Sequence, residues 1–203
     1  MRLNCLYNTV TQRIGTITVE MTVNGAMRTR LTPRLRLEPI SAGHAQELWL
    51  LHQDKAVAQW HGGPWSTDAA RQYATGCGEA WNTNGVSKWT AYDRSTGELV
   101  GRGGLSLKNI AEKERLEVGW TVRSNLWGQG YAAEIGRAGI AFGFDELKAD
   151  EIVAFTERHN TRSRAVMERL GMRYVGEIMD RGLVEGRDGV HDQASFALYA
   201  LQS

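Results

Sequence analysis

The sequence predicts a single α/β domain built on a mixed sheet, and three observations lead to this prediction. Strand-like and helix-like stretches follow one another in the order strand, two helices, three strands, helix, strand, helix, two strands. No repeat, low-complexity tract or linker interrupts them. The 203 residues suffice for one domain with a substantial core. We expect residues 34–203 to form this domain and residues 1–33 to be an N-terminal extension that is loose or only weakly paired.

Local patterns define the elements of the first half of the chain. Residues 35–38 alternate as in a strand, which Pro39 ends. Ser41 can cap a helix that runs to about Gln53. After the break at Gly62-Gly63-Pro64, Ser66 or Thr67 starts a second helix, whose apolar residues reach Trp81 at helical spacing.

The second half begins with strands at 88–92 and 99–107, which a hairpin loop joins. A third strand follows at 116–122. A helix with an apolar stripe is predicted from Gly130 to about Leu147. The remaining elements are strand 151–156, helix 161–170 with Gly171 as its stop, and strands 174–178 and 195–201 around a polar loop at 179–193.

The composition argues against several classes of function. A net charge of +1 gives no overall bias toward nucleic acid. Cys5 and Cys77 lack metal-ligand spacing, and we predict no metal site. No apolar run approaches the ~20 residues of a membrane span, and the N-terminus lacks a signal-peptide pattern. We therefore expect a cytoplasmic protein that binds neither membrane nor nucleic acid.

Two glycines, Gly128 and Gly130, lie between strand 116–122 and the following helix. Glycine lets the backbone approach a ligand closely, and the helix N-terminus behind it offers unpaired N–H groups and a positive dipole end. The pattern predicts a seat for a phosphate or pyrophosphate. A tight turn without a ligand is the alternative.

Gly128-x-Gly130-x-x-Ala133 also matches the dinucleotide-binding fingerprint. Five residues separate Val122 from Gly128, whereas that fingerprint begins at the tip of its strand. Too little sequence follows for a doubly wound sheet, and no acidic residue ends strand 151–156. A dinucleotide site is therefore disfavoured.

Asn160 and Ser163 form a second motif at the start of helix 161–170. Their i, i+3 spacing places both on one side of the first turn. Capping of the helix is the alternative role and is compatible with ligand binding.

With both motifs present, residues 34–201 resemble the GNAT superfamily of acyl-CoA-dependent N-acetyltransferases, and within it the branch of ribosomal-protein N-terminal acetyltransferases. The superfamily's phosphate loop runs Gln/Arg-x-x-Gly-x-Gly/Ala, and Asn125 departs from it at the first position. The second motif is similar to the superfamily's Asn-x-x-Ser/Ala segment. The residues that match the branch beside the two glycines are Trp127, Tyr131 and Ala132.

The resemblance implies a central, mostly antiparallel sheet of about six to seven strands flanked by helices, splayed between strands 116–122 and 151–156. It implies acetyl-CoA as co-substrate and no metal. Main-chain groups of the splayed strand would hold pantetheine, and the amides of the glycine loop would hold the pyrophosphate. The implied cofactor-binding residues are Val122, Gly128, Gln129, Gly130, Tyr131, Ala132, Asn160 and Ser163.

Acyl transfer to an amine needs a base, a proton source for the thiolate and a donor for the oxyanion. Met167 stands where many relatives have a tyrosine acid, so Ser163 is the candidate acid, with water as the alternative. Glu117 is the candidate base, because it lies on the central strand and burial there could raise its pKa. An ordinary polar strand position, or a water relay, is the alternative.

The predicted reaction moves an acetyl group from acetyl-CoA directly to a primary amine. The acceptor could be a protein N-terminus, an amino acid or an amine-bearing small molecule, because no segment carries a readable code for it. A catalytically silent acyl-CoA-binding regulatory domain is the alternative. The protein is expected to be a monomer or a homodimer.

Overall fold

The computed structural model describes residues 9–14, 17–22, 29–110 and 112–203. The strands are β1 (Thr9–Ile14), β2 (Ile17–Thr22), β3 (Arg30–Leu31), β4 (Leu35–Pro39), β5 (Lys88–Asp93), β6 (Leu99–Ile110), β7 (Lys113–Val122), β8 (Glu151–Glu157), β9 (Arg173–Leu183) and β10 (Val190–Gln202). The helices are α1 (Ala45–Leu51), α2 (Lys55–Ala58), α3 (Thr67–Asn84), α4 (Tyr131–Ala141) and α5 (Thr161–Arg169).

Much of the predicted extension, residues 1–8, 15–16 and 23–28, lies outside the described residues. Its described strands β1 and β2 form a separate antiparallel pair. The end of the extension is joined to the domain, because β3 pairs with β4 and Arg30 forms an ion pair with Glu146. The boundary at residue 34 remains a prediction.

Eight strands form the main sheet in the order β3-β4-β5-β6-β7-β8-β10-β9. All neighbours are antiparallel except β7 and β8, which confirms the predicted mixed, mostly antiparallel sheet. The sheet exceeds the predicted strand number because the two-residue strand β3 adds to its edge. Two residues are too few for a sequence pattern.

The sheet is splayed between β7 and β8, as predicted. On one side β7 pairs with β6 without a register shift, from Lys113 opposite Ile110 to Val122 opposite Gly101. On the other side a single parallel pair, Glu117 with Val153, joins β7 to β8. The gap therefore arises because β8 departs from β7, while the pairing of β7 with β6 is continuous.

Helices pack against both faces of this sheet. On one face α4 lies against β6 and β7, where Gly139 approaches Gly104 and Val118 closely. The core there includes the aromatic group Trp81, Trp89 and Phe142. A second cluster joins α1 to α3. The side chains of β5, β6 and β7 that face away from α4 include several polar residues, which line the cavity described below.

Two predicted helices have the expected extent but a different type of turn at one end, and one predicted loop was too long. The helix predicted at 41–53 is a 3₁₀ turn (Ala42–His44) followed by α1, and the helix predicted at 130–147 ends as a π-helical turn (Phe142–Glu146). The predicted loop 179–193 shrinks to 184–189, because β9 and β10 continue as a long hairpin. Antiparallel strands with a solvated face accept polar residues, so polarity alone did not indicate a loop there.

Candidate active site

The glycine loop links β7 to α4 through a 3₁₀ turn (Ser124–Leu126). Gly128 and Gly130 have φ angles of 79° and 83°, in the left-handed region that favours glycine. A Cβ atom added to Gly128 would meet nothing within 4 Å. The loop thus leaves open space beside its backbone at the start of an 11-residue helix.

Main-chain N–H groups of this loop remain available to a ligand. Within the described chain, no protein acceptor is recorded for the N–H groups of Gly128, Gly130, Tyr131 and Ala132, and the first bond into α4 runs from the Glu134 N–H to the Gly130 carbonyl. Unpaired donors at a helix N-terminus form an anion-binding site. The predicted cofactor-binding residues of the loop are therefore brought together.

Gln129 differs from the two glycines because its donors have acceptors within the protein. Its N–H donates to the Leu126 carbonyl over 3.4 Å, and its side-chain amide donates to the Asn125 carbonyl. The N–H of Trp127 is also used, by the Ser124 carbonyl at 3.2 Å. The free donors are consequently those of the two glycines and of the first turn of α4.

Arg34 lies beside the loop, although the sequence motifs did not include it. Its Nη1 donates to the Gln129 carbonyl at 3.0 Å and its Nε to Glu134 at 2.7 Å. Its guanidinium carbon lies 4.2 Å from the centroid of the Tyr131 ring. This arginine links the loop to α4 and places a guanidinium next to Gly130. The sequence motifs could not predict the contact, because Arg34 lies far from the loop in the sequence.

The gap between β7 and β8 exposes backbone of β7. The Arg123 N–H donates to the Val100 carbonyl, so the alternating groups of Trp120 and Val122 point away from β6 and toward the gap. The Val122 carbonyl accepts a hydrogen bond from Trp127 Nε1 at 2.8 Å. Its N–H is the group of Val122 that is left for a ligand, as the prediction of a backbone contact requires.

A cavity of about 550 Å³ extends from this gap onto the polar face of the sheet. Residues of β7 from Glu117 to Thr121 line it on one side, and Asn160, Ser163 and Met167 line it on the other. Both predicted catalytic residues therefore border one cavity. Gly128 and its neighbours lie just beyond the end of β7.

Asn160 caps α5, as the alternative reading stated. Its Oδ1 accepts a hydrogen bond from the Ser163 N–H at 3.1 Å, and its Nδ2 donates to Thr156 Oγ1 at 3.0 Å. For the Ser163 hydroxyl no protein partner is recorded in the described part of the chain. The cap holds Ser163 at the cavity with its hydroxyl free.

Glu117 is buried on the polar face and belongs to an ion pair. Its Oε2 accepts hydrogen bonds from Lys88 Nζ at 2.6 Å and from Ser106 Oγ at 3.0 Å. The carboxylate folds back over Gly119, where a Cβ atom would lie 2.4 Å from Oε1. The absence of a side chain at Gly119 is what makes room for the pair.

The expectation that burial raises the pKa of Glu117 was wrong. Burial alone would raise it, but the charges of Lys88 and Lys108 and the hydrogen bonds from Lys88 and Ser106 together lower the pKa below its ordinary value. The carboxylate is therefore ionised at neutral pH. Lys88 and Ser106 face it from β5 and β6, a tertiary contact that the pattern of β7 does not encode.

His52 lies fully buried behind this face. Its ring stacks on Trp65 with centroids 3.5 Å apart, and its Nε2 accepts a hydrogen bond from Arg102 Nε at 3.3 Å. Burial, the Arg102 charge and His61 lower the pKa of His52 from 6.5 to about 2. The imidazole is therefore neutral in the folded protein.

This neutral histidine predicts acid-sensitive stability. Because the unfolded chain binds a proton at His52 below pH 6.5 and the folded chain does not, the free energy of unfolding is expected to fall by about 1.4 kcal/mol per pH unit between pH 6 and pH 5 from this residue. Urea denaturation at each pH gives the free energy of unfolding, whose decrease per pH unit should be smaller by about 1.4 kcal/mol in His52→Gln than in the wild-type protein. Equal decreases in the two proteins would show that His52 is not a buried neutral histidine.

Comparison with known proteins decides the family. The sequence profile of the Acetyltransferase (GNAT) domain matches residues 34–173. The chain belongs to the GNAT acetyltransferase family. It is therefore an N-acetyltransferase enzyme, and members of this family take their acetyl group from acetyl-CoA.

The chain is also similar to individual known proteins. The GNAT chain is 31% identical over 150 residues to YkkB of Bacillus subtilis, an uncharacterised protein, covering 71% of this chain and 84% of YkkB. It is 32% identical over 161 residues to an FsC-acetyl coenzyme A-N(2)-transacetylase of Aspergillus fumigatus, covering 74% of this chain and 67% of the relative. Among solved structures, RimL, a ribosomal L7/L12 alpha-N-protein acetyltransferase in complex with coenzyme A, has the same fold, with a TM-score of 0.68 and 18% identity over 85% of this chain and 96% of RimL.

No helix in the described part of the GNAT chain is both long enough and apolar enough to cross a membrane.

Proposed function

We propose that this GNAT enzyme transfers the acetyl group of acetyl-CoA directly to a primary amine. One observation carries the proposal: a single cavity is lined by residues on both sides of the gap between β7 and β8 and by Glu117 on the polar face. A donor that enters through the gap and an acceptor on the polar face would meet inside it. Direct transfer needs this common space and no acyl-enzyme.

The residues around the gap fit a CoA thioester. The free N–H groups of Gly128, Gly130, Tyr131 and Ala132 would hold the diphosphate, with Gln129 in a minor role. The free N–H of Val122 and the cap residue Asn160 would border the pantetheine arm. When bound, acetyl-CoA supplies an activated acyl carbonyl.

Two side chains are proposed to handle the protons. Glu117 is ionised and has its Oε1 directed over Gly119, so it is placed to accept a proton from the acceptor amine, directly or through water, although its lowered pKa makes it a weaker base than burial alone would. The free hydroxyl of Ser163 would donate a hydrogen bond to the departing sulfur. Met167, which is 2% exposed, offers no proton at the position where many relatives carry tyrosine.

The acceptor is proposed to be a protein N-terminus, an amino acid or an amine-bearing small molecule. The experiment is a CoA-release assay with acetyl-CoA and a panel of these amines, with mass spectrometry of the products. We expect at least one amine to gain one acetyl group at nitrogen. Binding of acetyl-CoA without acetylation of any amine would instead favour the silent binding domain.

Replacing Ser163 with alanine is expected to lower kcat about tenfold and to leave the KM for acetyl-CoA within about twofold, because one proton donor to the leaving sulfur is lost. The measurement is CoA release at saturating substrates. Thr161→Ala is the matched control, since Thr161 begins the same helix and does not line the cavity. Equal kcat values in the two variants would assign the proton to water.

A further inference from the structure

Arg102 of β6 is a buried cation on the polar face of the sheet. It is 8% exposed and lines the same cavity as Glu117. Its Nε donates to His52 Nε2 at 3.3 Å, and its Nη1 donates to Tyr73 Oη at 2.8 Å. The rings of Trp65 and Tyr73 lie 5.3 and 4.6 Å from its guanidinium carbon.

The charge of Arg102 has no counter-charge in the described residues. None of their carboxylates forms an ion pair with it, and Glu117 in the same cavity is already paired with Lys88. Both hydrogen-bond partners of Arg102 are neutral, because burial lowers the pKa of His52 and raises that of Tyr73. A buried cation is normally paired, so this one is an exception.

The guanidinium of Arg102 retains N–H donors that are free to bind a ligand in the cavity. His52 and Tyr73 use one hydrogen each from Nε and Nη1, and no partner for Nη2 is recorded among the described residues. The remaining hydrogens of Nη1 and Nη2 form the planar fork that matches a carboxylate in two parallel hydrogen bonds. The two neutral partners fix this fork against the aromatic rings without neutralising it.

We propose that the acceptor amine also carries a carboxylate, which Arg102 binds while the amine lies toward Glu117. In the register of β6 with β7, Arg102 lies opposite Thr121, which is four residues along β7 from Glu117. The side chains of Arg102 and Glu117 therefore lie on one face of the sheet, four register positions apart, and both line the cavity. The inference rests on the proposed function and narrows its acceptor to amines with an anionic carboxylate group.

The test compares matched probes that differ only in this group. Glycine, β-alanine, 4-aminobutyrate and 6-aminohexanoate are titrated against their carboxamides by calorimetry, with the protein saturated with CoA, and both sets are then assayed for acetylation. At least one carboxylate is expected to bind about tenfold or more tightly than its amide, the effect of charge-assisted hydrogen bonds. The preference is expected to vanish in Arg102→Met and to persist in Arg71→Met, an exposed arginine paired with Asp68.

Each outcome decides the question. Absence of any carboxylate preference, or its survival in Arg102→Met, overturns the inference. If Arg102→Met does not fold, Tyr73→Phe takes its place, because it removes the hydrogen-bond partner of Arg102 Nη1. This variant should reduce the preference for the carboxylate over the carboxamide at least about threefold, and an unchanged preference overturns the inference. Amine acetylation without a carboxylate preference leaves the proposed function intact and overturns only the inference. Carboxylate binding through Arg102 without acetylation of any amine removes the proposed function, and with it the role of Arg102 in acceptor binding.

Discussion

Replacing Gly128 with leucine is expected to raise the KM for acetyl-CoA about hundredfold. A side chain at position 128 would enter the open space beside the loop. The backbone φ of 79° at this position is also unfavourable for any residue with a Cβ atom. Two N–H donors to a charged diphosphate would be displaced, at about 1.5 kcal/mol or more each. Steady-state kinetics with acetyl-CoA as the varied substrate should show the change, with kcat reduced much less because the reacting groups are unaltered.

Gly171→Leu is the matched control for this variant. Gly171 has a φ of 81°, a Cβ atom there would also meet nothing within 4 Å, and it lies after the far end of α5. The two variants therefore share the backbone penalty and differ in the lost phosphate contact. A KM for acetyl-CoA that stays at the wild-type value in Gly128→Leu would count against the loop as the binding site of the diphosphate. Gly130→Leu is expected to raise this KM in the same way.

Replacing Glu117 with glutamine is expected to lower kcat by roughly a hundredfold or more, the usual contribution of a general base. The same change leaves Lys88 buried without its counter-charge, which costs about 3 kcal/mol or more of the free energy of unfolding. Acetylation kinetics and urea denaturation measure the two effects separately. A folded Glu117→Gln protein with wild-type kcat would remove Glu117 from the mechanism.

A double variant separates the catalytic role of Glu117 from its structural role. Lys88→Met combined with Glu117→Gln removes both charges, so the stability of the single variant should largely return while kcat stays low. Recovery of kcat together with stability would show that the pair is structural only. The pH dependence of the free energy of unfolding provides a second check. Since the folded pKa of Glu117 lies below 4.5, the stabilisation from its ionised carboxylate is present above that pH and is lost as the pH falls further.

Local sequence signals predicted most of the fold. The strands at 88–92 and 116–122 and the helix capped by Ser66 are present because their patterns are local and strong. The strands at 174–178 and 195–201 were predicted, but their continuation toward the turn, at 179–183 and 190–194, was missed because the polar residues there are also typical of a loop. The strand β3 was missed for a different reason, because pairing with β4 creates it.

In the candidate site, too, local motifs could be predicted from the sequence and contacts between distant residues could not. Gly128, Gly130, Asn160 and Ser163 could be predicted as candidate site residues because their motifs are short and contiguous in the chain. The partners that set the electrostatics, Lys88 for Glu117 and His52 for Arg102, come from other elements, so no spacing rule connects them. That is why the direction of the Glu117 pKa shift could not be read from β7 alone.

A crystal structure of the protein with bound CoA tests the central claim most directly. We predict that the main-chain nitrogens of Gly128, Gly130 and Tyr131 lie about 2.7–3.2 Å from oxygens of the diphosphate, with the pantetheine arm between β7 and β8. A CoA molecule that binds elsewhere, or whose diphosphate makes no contact with these nitrogens, would contradict the claim.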